Sequence, residues 1–148
     1  MNVLMLLKPK SEVEYLTDIC TVRQGLEKMR ILGYAAIPVI TKDGLYVGSV
    51  SEGDFLWHLV ENSGAIDSIR KCENYCIREI MTPDRNPAVT VDVDMDTVIE
   101  RATQQNFIPV TDDRGYFIGI VTRQDIIRKY CCTDRKPSAS AALRTYQS

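Results

Sequence analysis

The chain has 148 residues, of which 45% are hydrophobic, 26% charged and 7% aromatic, an ordinary globular composition that excludes a disordered, collagenous or low-complexity chain. A chain of this length buries roughly 70% of its unfolded surface and folds as one or two small domains without a disulfide or metal staple. Eighteen basic and twenty acidic residues leave a net charge of −2, so the long-range attraction that draws basic proteins to nucleic acid or anionic lipid is missing.

The first apolar run, Val3 to Leu7, lacks a basic leader and stops at Lys8-Pro9. It is too short for a signal peptide or a membrane span, and the chain is read as cytoplasmic. Val22, Leu26, Met29 and Leu32 are spaced as one stripe of a helix. Ala36 to Ile40 and Leu45 to Ser51 are rich in β-formers and flank Lys42-Asp43-Gly44, which predicts a hairpin. Phe55, Leu56, Leu59 and Val60 then form one face of a second helix. Asn62-Ser63-Gly64 breaks the chain, Ala65 to Cys72 is compatible with a connecting helix, and Ile77 to Pro83 opens a second unit. There the helical stripe is Met95, Val98, Ile99 and Ala102. The hairpin runs from Ile108 to Thr111 and from Tyr116 to Thr122 around Asp112 to Gly115. A last helix carries Ile126, Ile127, Tyr130 and Cys131, and the segment from Asp134 is a polar tail in which Ala139 to Tyr146 is compatible with a short helix against a partner.

These elements are a tandem duplication. Residues 36–54 align without gaps on residues 107–125, and seven of the nineteen positions are identical: Ile37, Pro38, Val39, Gly44, Gly48, Val50 and Asp54. Ser51 falls on Thr122. Each copy is a helix, strand, turn, strand, helix layer of roughly 55 residues, marginal alone, so that two copies packed together would cover the remaining apolar faces.

Ile37-Pro38-Val39 followed by Gly48-x-x-Ser51-x-x-Asp54, its repeat Ile108-Pro109-Val110 with Gly119-x-x-Thr122-x-x-Asp125, and Ile80-Met81-Thr82 before the second copy are the residues that carry a family likeness. Over about residues 8 to 132 the chain resembles a pair of cystathionine β-synthase (CBS) domains. The resemblance implies an α/β fold in which each unit is β-α-β-β-α, the two units being related by a pseudo-twofold axis. It implies two clefts between the units that take adenosine-containing ligands, a disc-like homodimer, and regulation of an attached or partner protein in place of catalysis. The expected organisation is a first CBS unit with its lead-in over 1–62, a connecting segment over 63–75, a second unit over 76–133 and a tail over 134–148. At its start the first unit departs from the pattern, with Leu7-Lys8-Pro9-Lys10 in place of Met-Thr-Pro.

The repeated residue types suit a nucleotide. Gly48 and Gly119 sit inside strands, where glycine marks close approach by another backbone or a ligand, leaving room for a sugar. Ser51 and Thr122 stand at strand ends where helices begin, beside free N–H groups and a helix dipole that favour phosphate. Asp54 and Asp125, one turn on, can accept both protons of a ribose diol. Ala36, Ile37 and Pro38, with Phe107, Ile108 and Pro109, offer an apolar slot for a purine face. Ser/Thr-x-x-Asp is also a capping box in which the acid serves only the backbone, and the two roles need not exclude each other. Arg123 replaces Glu52 between the copies, so phosphate is expected beside Arg123.

Other features point elsewhere. Asp92, Asp94 and Asp96 imitate the opening of a calcium loop, but Thr97 and Thr103 stand where glycine and glutamate are needed, so the acids read as a solvated face with a helix cap at Asp94 or Asp96. Cys20, Cys72, Cys76, Cys131 and Cys132 are odd in number and lack Cys-x-x-Cys spacing. With His58 the only histidine, no metal site is expected, and the cysteines read as small buried hydrophobes in a reducing compartment. Trp57 and His58 lie away from the apolar face of their helix, placed to meet a dimer mate or to cover the neighbouring unit. Lys8, Lys10 and Arg85 flank the strand starts as surface charge or extra phosphate ligands. One histidine, with no phosphate loop and no nucleophile–base pair, leaves an enzyme without machinery.

The expected function is therefore a non-catalytic regulatory module. It binds an AMP, ADP or ATP type of ligand without a required cofactor, forms a homodimer, and acts in trans on a regulated protein. The alternative is a structural dimerisation module without a nucleotide.

Overall fold

The computed structural model describes residues 2–61 and 73–131. Among them are eight short strands: β1 (Lys8–Pro9), β2 (Leu16–Thr17), β3 (Ala36–Ile40), β4 (Tyr46–Ser51), β5 (Thr82–Pro83), β6 (Val89–Thr90), β7 (Phe107–Thr111) and β8 (Phe117–Thr122). Five α-helices accompany them: α1 (Val22–Leu32), α2 (Glu52–Glu61), α3 (Ile77–Ile80), α4 (Met95–Ala102) and α5 (Arg123–Cys131). They build two four-stranded sheets, ordered β2-β3-β4-β5 and β1-β8-β7-β6. The expected β-α-β-β-α layer is present twice, as β2-α1-β3-β4-α2 and β6-α4-β7-β8-α5. The segments expected to be helical at 65–72 and 139–146 lie outside the described residues.

The compact units cut across the sequence copies. A first unit comprises residues 14–61 and 73–85, and a second comprises 2–13 and 86–131. Ile77 to Pro83 opens the second copy in sequence but packs in the first unit, while Lys8–Pro9 adds a strand to the second. β5 pairs with β4 through Thr82↔Ser49 and Pro83↔Gly48, and β1 pairs with β8 through Lys8↔Ile120 and Pro9↔Gly119. The two leading strands thus share one register, although β1 has lost the Met-Thr-Pro sequence.

That register explains the in-strand glycines and corrects the expectation that they leave room for a sugar. Each hairpin has a one-residue irregularity beside its glycine, between Val39 and Ile40 and between Val110 and Thr111. Gly48 and Gly119 take φ of 149° and 158°, where side chains rarely go. A Cβ on Gly119 would sit 2.1 Å from the Lys8 carbonyl oxygen, and one on Gly48 would sit 2.6 Å from Met81 Cε. The leading segments fill the space.

Each unit has its own core. Leu16, Val22, Met29, Ile37, Val39, Val50, Phe55 and Ile77 form that of the first, and Val89, Val98, Ile108, Val110, Val121 and Ile126 belong to that of the second. Helix α1 is capped by a reciprocal box, Gln24 N donating to Thr21 Oγ1 at 3.1 Å and Thr21 N to Gln24 Oε1 at 2.9 Å. Its buried stripe is Val22, Gly25 and Met29, with Leu26 turned outward at 37% exposure. Gly25 takes the inward place because Ile77 and Leu16 press against it. A Cβ there would meet Ile77 Cδ1 at 2.6 Å. On α2 and α5, Phe55 and Ile126 point into the cores while Leu56, Val60, Ile127 and Tyr130 are exposed, so only part of each expected apolar face is buried.

Gly119→Ala is expected to cost about 3 kcal/mol, because the backbone of β1 cannot give way, and Gly48→Ala about 1 kcal/mol, because Met81 can rotate. Urea unfolding checks this, and equal losses would show that β1 does not hold its edge. At α4, Thr97 N donates to Asp94 Oδ1 at 2.7 Å and holds the Asp94 carboxyl below its ordinary 3.8. A lowered folded pKa gives stability that is present above the unfolded value and is lost as pH falls through the folded one. The melting-temperature advantage of the native chain over Asp94→Ala should therefore shrink on acidification below 3.8; growth of that advantage would contradict the cap.

Candidate functional site

Ser51 ends β4 and Asp54 lies in the first turn of α2. The two make a reciprocal cap. Ser51 N donates to Asp54 Oδ2 at 2.9 Å, and Asp54 N donates to Ser51 Oγ at 3.4 Å. Two further residues close on the same carboxylate. Thr82 Oγ1 donates to Asp54 Oδ1 at 3.2 Å, and Arg85 Nη1 donates to Asp54 Oδ2 at 2.8 Å and to Ser51 Oγ at 2.5 Å. Arg85 Nη2 also donates to Thr82 Oγ1 at 3.0 Å. The Asp54 side chain is 7% exposed, which suits an acid whose charge is met by a guanidinium and three hydrogen-bond donors in all. Arg85 is thus a carboxylate partner, a role outside the surface charge or phosphate ligand expected of it, and Thr82 was not foreseen in the site at all. Its register opposite Ser49 is the signal that would have placed it there.

The second unit repeats this geometry with different chemistry. Asp125 N donates to Thr122 Oγ1 at 3.1 Å, so the hydroxyl again caps the helix. Ser49 and Ile120 are equivalent positions of the repeat, so Lys8 stands where Thr82 stands, and its Nζ lies 3.8 Å from Asp125 Oδ2. Ser11, three residues on from Lys8 as Arg85 is from Thr82, is exposed and lies in a 3-10 turn over Lys10–Glu12. Arg123, at the head of α5, donates from Nε to the Ala102 carbonyl at 2.6 Å, and its backbone N–H donates to Asn106 O at 2.9 Å. Among the described residues Lys8 meets Asp125 at this helix start, and Arg123 heads the helix with its guanidinium on the Ala102 carbonyl. Around the other stand two acids, Glu52 and Asp54, and one cation, Arg85.

The strand residues expected to face a purine serve mainly the cores. Ile37 and Ile108 are fully buried and Phe107 is 5% exposed. Pro38 and Pro109 are buried as well, and Ala36 alone of the six keeps partial exposure. His58 is buried against the Tyr75 ring, edge to face at 4.8 Å, which corrects its placement on the outer side, whereas Trp57 is 64% exposed. A cavity of about 260 Å³ beside Asp54 is lined by Trp57, His58, Glu61, Glu79, Ile80, Thr82 and Arg85. Asp94 caps α4 and Asp92 accepts from Thr90 Oγ1. Among the described residues no group of three or more His, Cys, Asp or Glu could hold a metal ion, and no helix is long and apolar enough to cross a membrane. Cys20 and Cys76 are free thiols, and burial pushes the Cys20 thiol up.

Two duplicated α/β layers, each with a hydroxyl-and-acid helix start fed by a leading strand, define a tandem two-unit module. The sequence profile of the CBS domain matches residues 7–61 and 77–131, and the chain belongs to the CBS-domain family. It is 27% identical over 107 residues to an uncharacterized protein of Methanopyrus kandleri, a match spanning 68% of this chain and 49% of that one. The chain thus spans about half the length of the curated relative it matches. The Listeria monocytogenes protein CbpB in complex with c-di-AMP superposes with a TM-score of 0.74 at 18% identity, over 87% of this chain and 94% of that one. CBSX2 in complex with AMP gives 0.71 at 24% identity, over 90% of this chain and 98% of that one. At these identities the two structures share the fold.

Asp54→Ala removes a cap and leaves Arg85 without its acid, at an expected cost of about 2 kcal/mol, against about 0.5 kcal/mol for Asp125→Ala, whose ion pair is long and partly exposed. Chemical denaturation of the two variants checks the difference, and equal costs would overturn the asymmetry between the units.

Proposed function

We propose that this protein is a non-catalytic regulatory module that binds an adenosine-containing ligand at the Thr122–Asp125 motif and passes its occupancy to a partner protein. The observation that carries this reading is the chemistry gathered at the head of α5. Among the described residues the Asp125 carboxylate is met by Lys8 alone, at 3.8 Å, so it can accept a ribose diol while Lys8 balances a phosphate and Arg123, at the head of the same helix, adds a second positive charge. Phe107, Ile108 and Pro109 of the same unit stay in the proposal as the apolar wall, contacting a base mostly through strand backbone because their side chains are buried, and Ala36, Ile37 and Pro38 are their counterparts beside the Ser51–Asp54 motif. The complexes of CbpB with c-di-AMP and of CBSX2 with AMP support an adenosine ligand for this fold. Free thiols and nucleotide chemistry both suit the cytoplasm.

One observation favours a second reading, a structural dimerisation module. The Asp54 carboxylate accepts from the Ser51 N–H at its own helix start, and the exposed Leu56, Trp57 and Val60 on α2 offer an apolar face that a second copy of the chain would cover.

Calorimetry and thermal melting of ligand-stripped protein with AMP, ATP and c-di-AMP decide between these readings. Binding is expected, and Asp125→Ala or Arg123→Glu should weaken it about tenfold, a loss of about 1.4 kcal/mol. No heat and no melting shift at millimolar ligand would leave the dimerisation reading.

A further inference from the structure

We infer that Arg85 closes the Ser51–Asp54 motif against nucleotide, so that each chain takes a single adenosine-type anion, at Thr122–Asp125. This rests on the nucleotide reading above and deepens it by naming the residue that decides which copy of the duplicated motif is open.

A ribose diol needs the oxygens of the acid, and those of Asp54 are already engaged. Oδ1 accepts from Thr82, and Oδ2 accepts from both Ser51 N and Arg85 Nη1. The position a phosphate would take, at the Ser51 hydroxyl, holds the same guanidinium nitrogen at 2.5 Å. Arg85 therefore occupies the place of both ligand groups at once. Its fork is planar and fits a carboxylate and a hydroxyl without distortion.

The backbone presents it there. Asp84 and Asn86, on either side of Arg85, have φ of 61° and 54°. The left-handed region admits Asp and Asn more readily than other side chains, so the local sequence suits the turn. The Tyr46 hydroxyl donates to the Arg85 carbonyl across a long 3.4 Å contact.

The charge around this contact also opposes an anion. The adjoining cavity is lined by Asp54, Glu61 and Glu79 with Arg85 as its cation, and Glu52 stands at the helix start. A phosphate that drew Arg85 away would leave the 7%-exposed Asp54 carboxylate without its counter-ion. In the second unit the residue at the same spacing from the leading strand is the exposed Ser11, which carries no charge.

The test has two arms on the full chain. Without nucleotide, urea unfolding of Arg85→Ala, Asp54→Asn and the double variant measures the contact itself. The double variant should lose less than the sum of the single losses, and simple additivity would refute the closure whatever the chain binds. With adenosine and AMP as probes, calorimetry of the native chain should give one site per chain, weakened about tenfold in Asp125→Ala and retained within about twofold in Asp54→Asn. Arg85→Ala should keep that site and add a second for adenosine, the probe without phosphate charge. A fall in affinity of threefold or more in Arg85→Ala would make Arg85 a ligand contact and overturn the proposal, as would two sites in the native chain. Absence of binding in the native chain and every variant, with the coupling intact, would refute the nucleotide reading and the specificity role with it, whereas additivity with normal binding would refute the closure alone.

Discussion

The arrangement of both helix starts depends on one constraint, the packing of a leading strand against a glycine. Only a residue without a side chain lets the Lys8 carbonyl come within reach of the Gly119 Cα, or Met81 lie over Gly48. Once that approach is allowed, the ladder pairs Lys8 with Ile120 and Thr82 with Ser49. This register delivers one polar side chain to each acid: an ammonium to Asp125 and a hydroxyl to Asp54. The glycines therefore act on the site indirectly. They determine which residue of the leading segment meets the carboxylate, and a ligand need never touch them.

Because the hairpin, the helix start and the register of the leading strand are built twice, the two helix starts differ in side-chain chemistry and in the backbone that follows the leading strand. An acid bound to a guanidinium, a hydroxyl and its own cap has little capacity left to accept from a ligand, and separating it from its counter-ion costs more as burial increases. An acid facing an ammonium at 3.8 Å, with 22% of its side chain exposed, gives up little when a ligand replaces that contact. The substitution of Arg123 for Glu52 moves the local charge in the same direction. Duplication supplies two equivalent positions, and three substitutions, at Arg85/Ser11, Thr82/Lys8 and Glu52/Arg123, make them unequal.

What could be read from the chain before folding was whatever repeats over short distances. The helical periods, the hairpin turns, the fixed offset between copies and the Ser/Thr-x-x-Asp helix starts are local patterns, and the α/β repeat follows from them. Facing was less legible. Val22, Leu26, Met29 and Val22, Gly25, Met29 are both helical stripes, and the choice between them is made by Ile77, some fifty residues away in the chain. The outward turn of Leu56 and Val60 is likewise a matter of what packs on α2. At the site, Ser51 and Asp54 were visible because they are three residues apart, while Thr82 and the bonding of Arg85 depend on a strand pairing that no local pattern encodes. The reading of the glycines was half available: close approach was evident, but whether ligand or backbone makes it is a question of sheet order.

The helix-start motif itself illustrates why a motif and a function are different claims. In Ser-x-x-Asp and Thr-x-x-Asp the hydroxyl takes a first-turn N–H of α2 and of α5 whatever else the motif does, so helix capping by itself accounts for the hydroxyl. What distinguishes a cap from a binding site is the remaining valence of the acid, and that is set by residues outside the motif. In the first unit the valence is spent within the chain. In the second the hydroxyl caps, and the acid keeps capacity because the Lys8 ammonium stands off at 3.8 Å. The difference between the two acids is therefore written in the leading segments, through Thr82 and Arg85 at one helix start and Lys8 at the other, and not in the repeated motif.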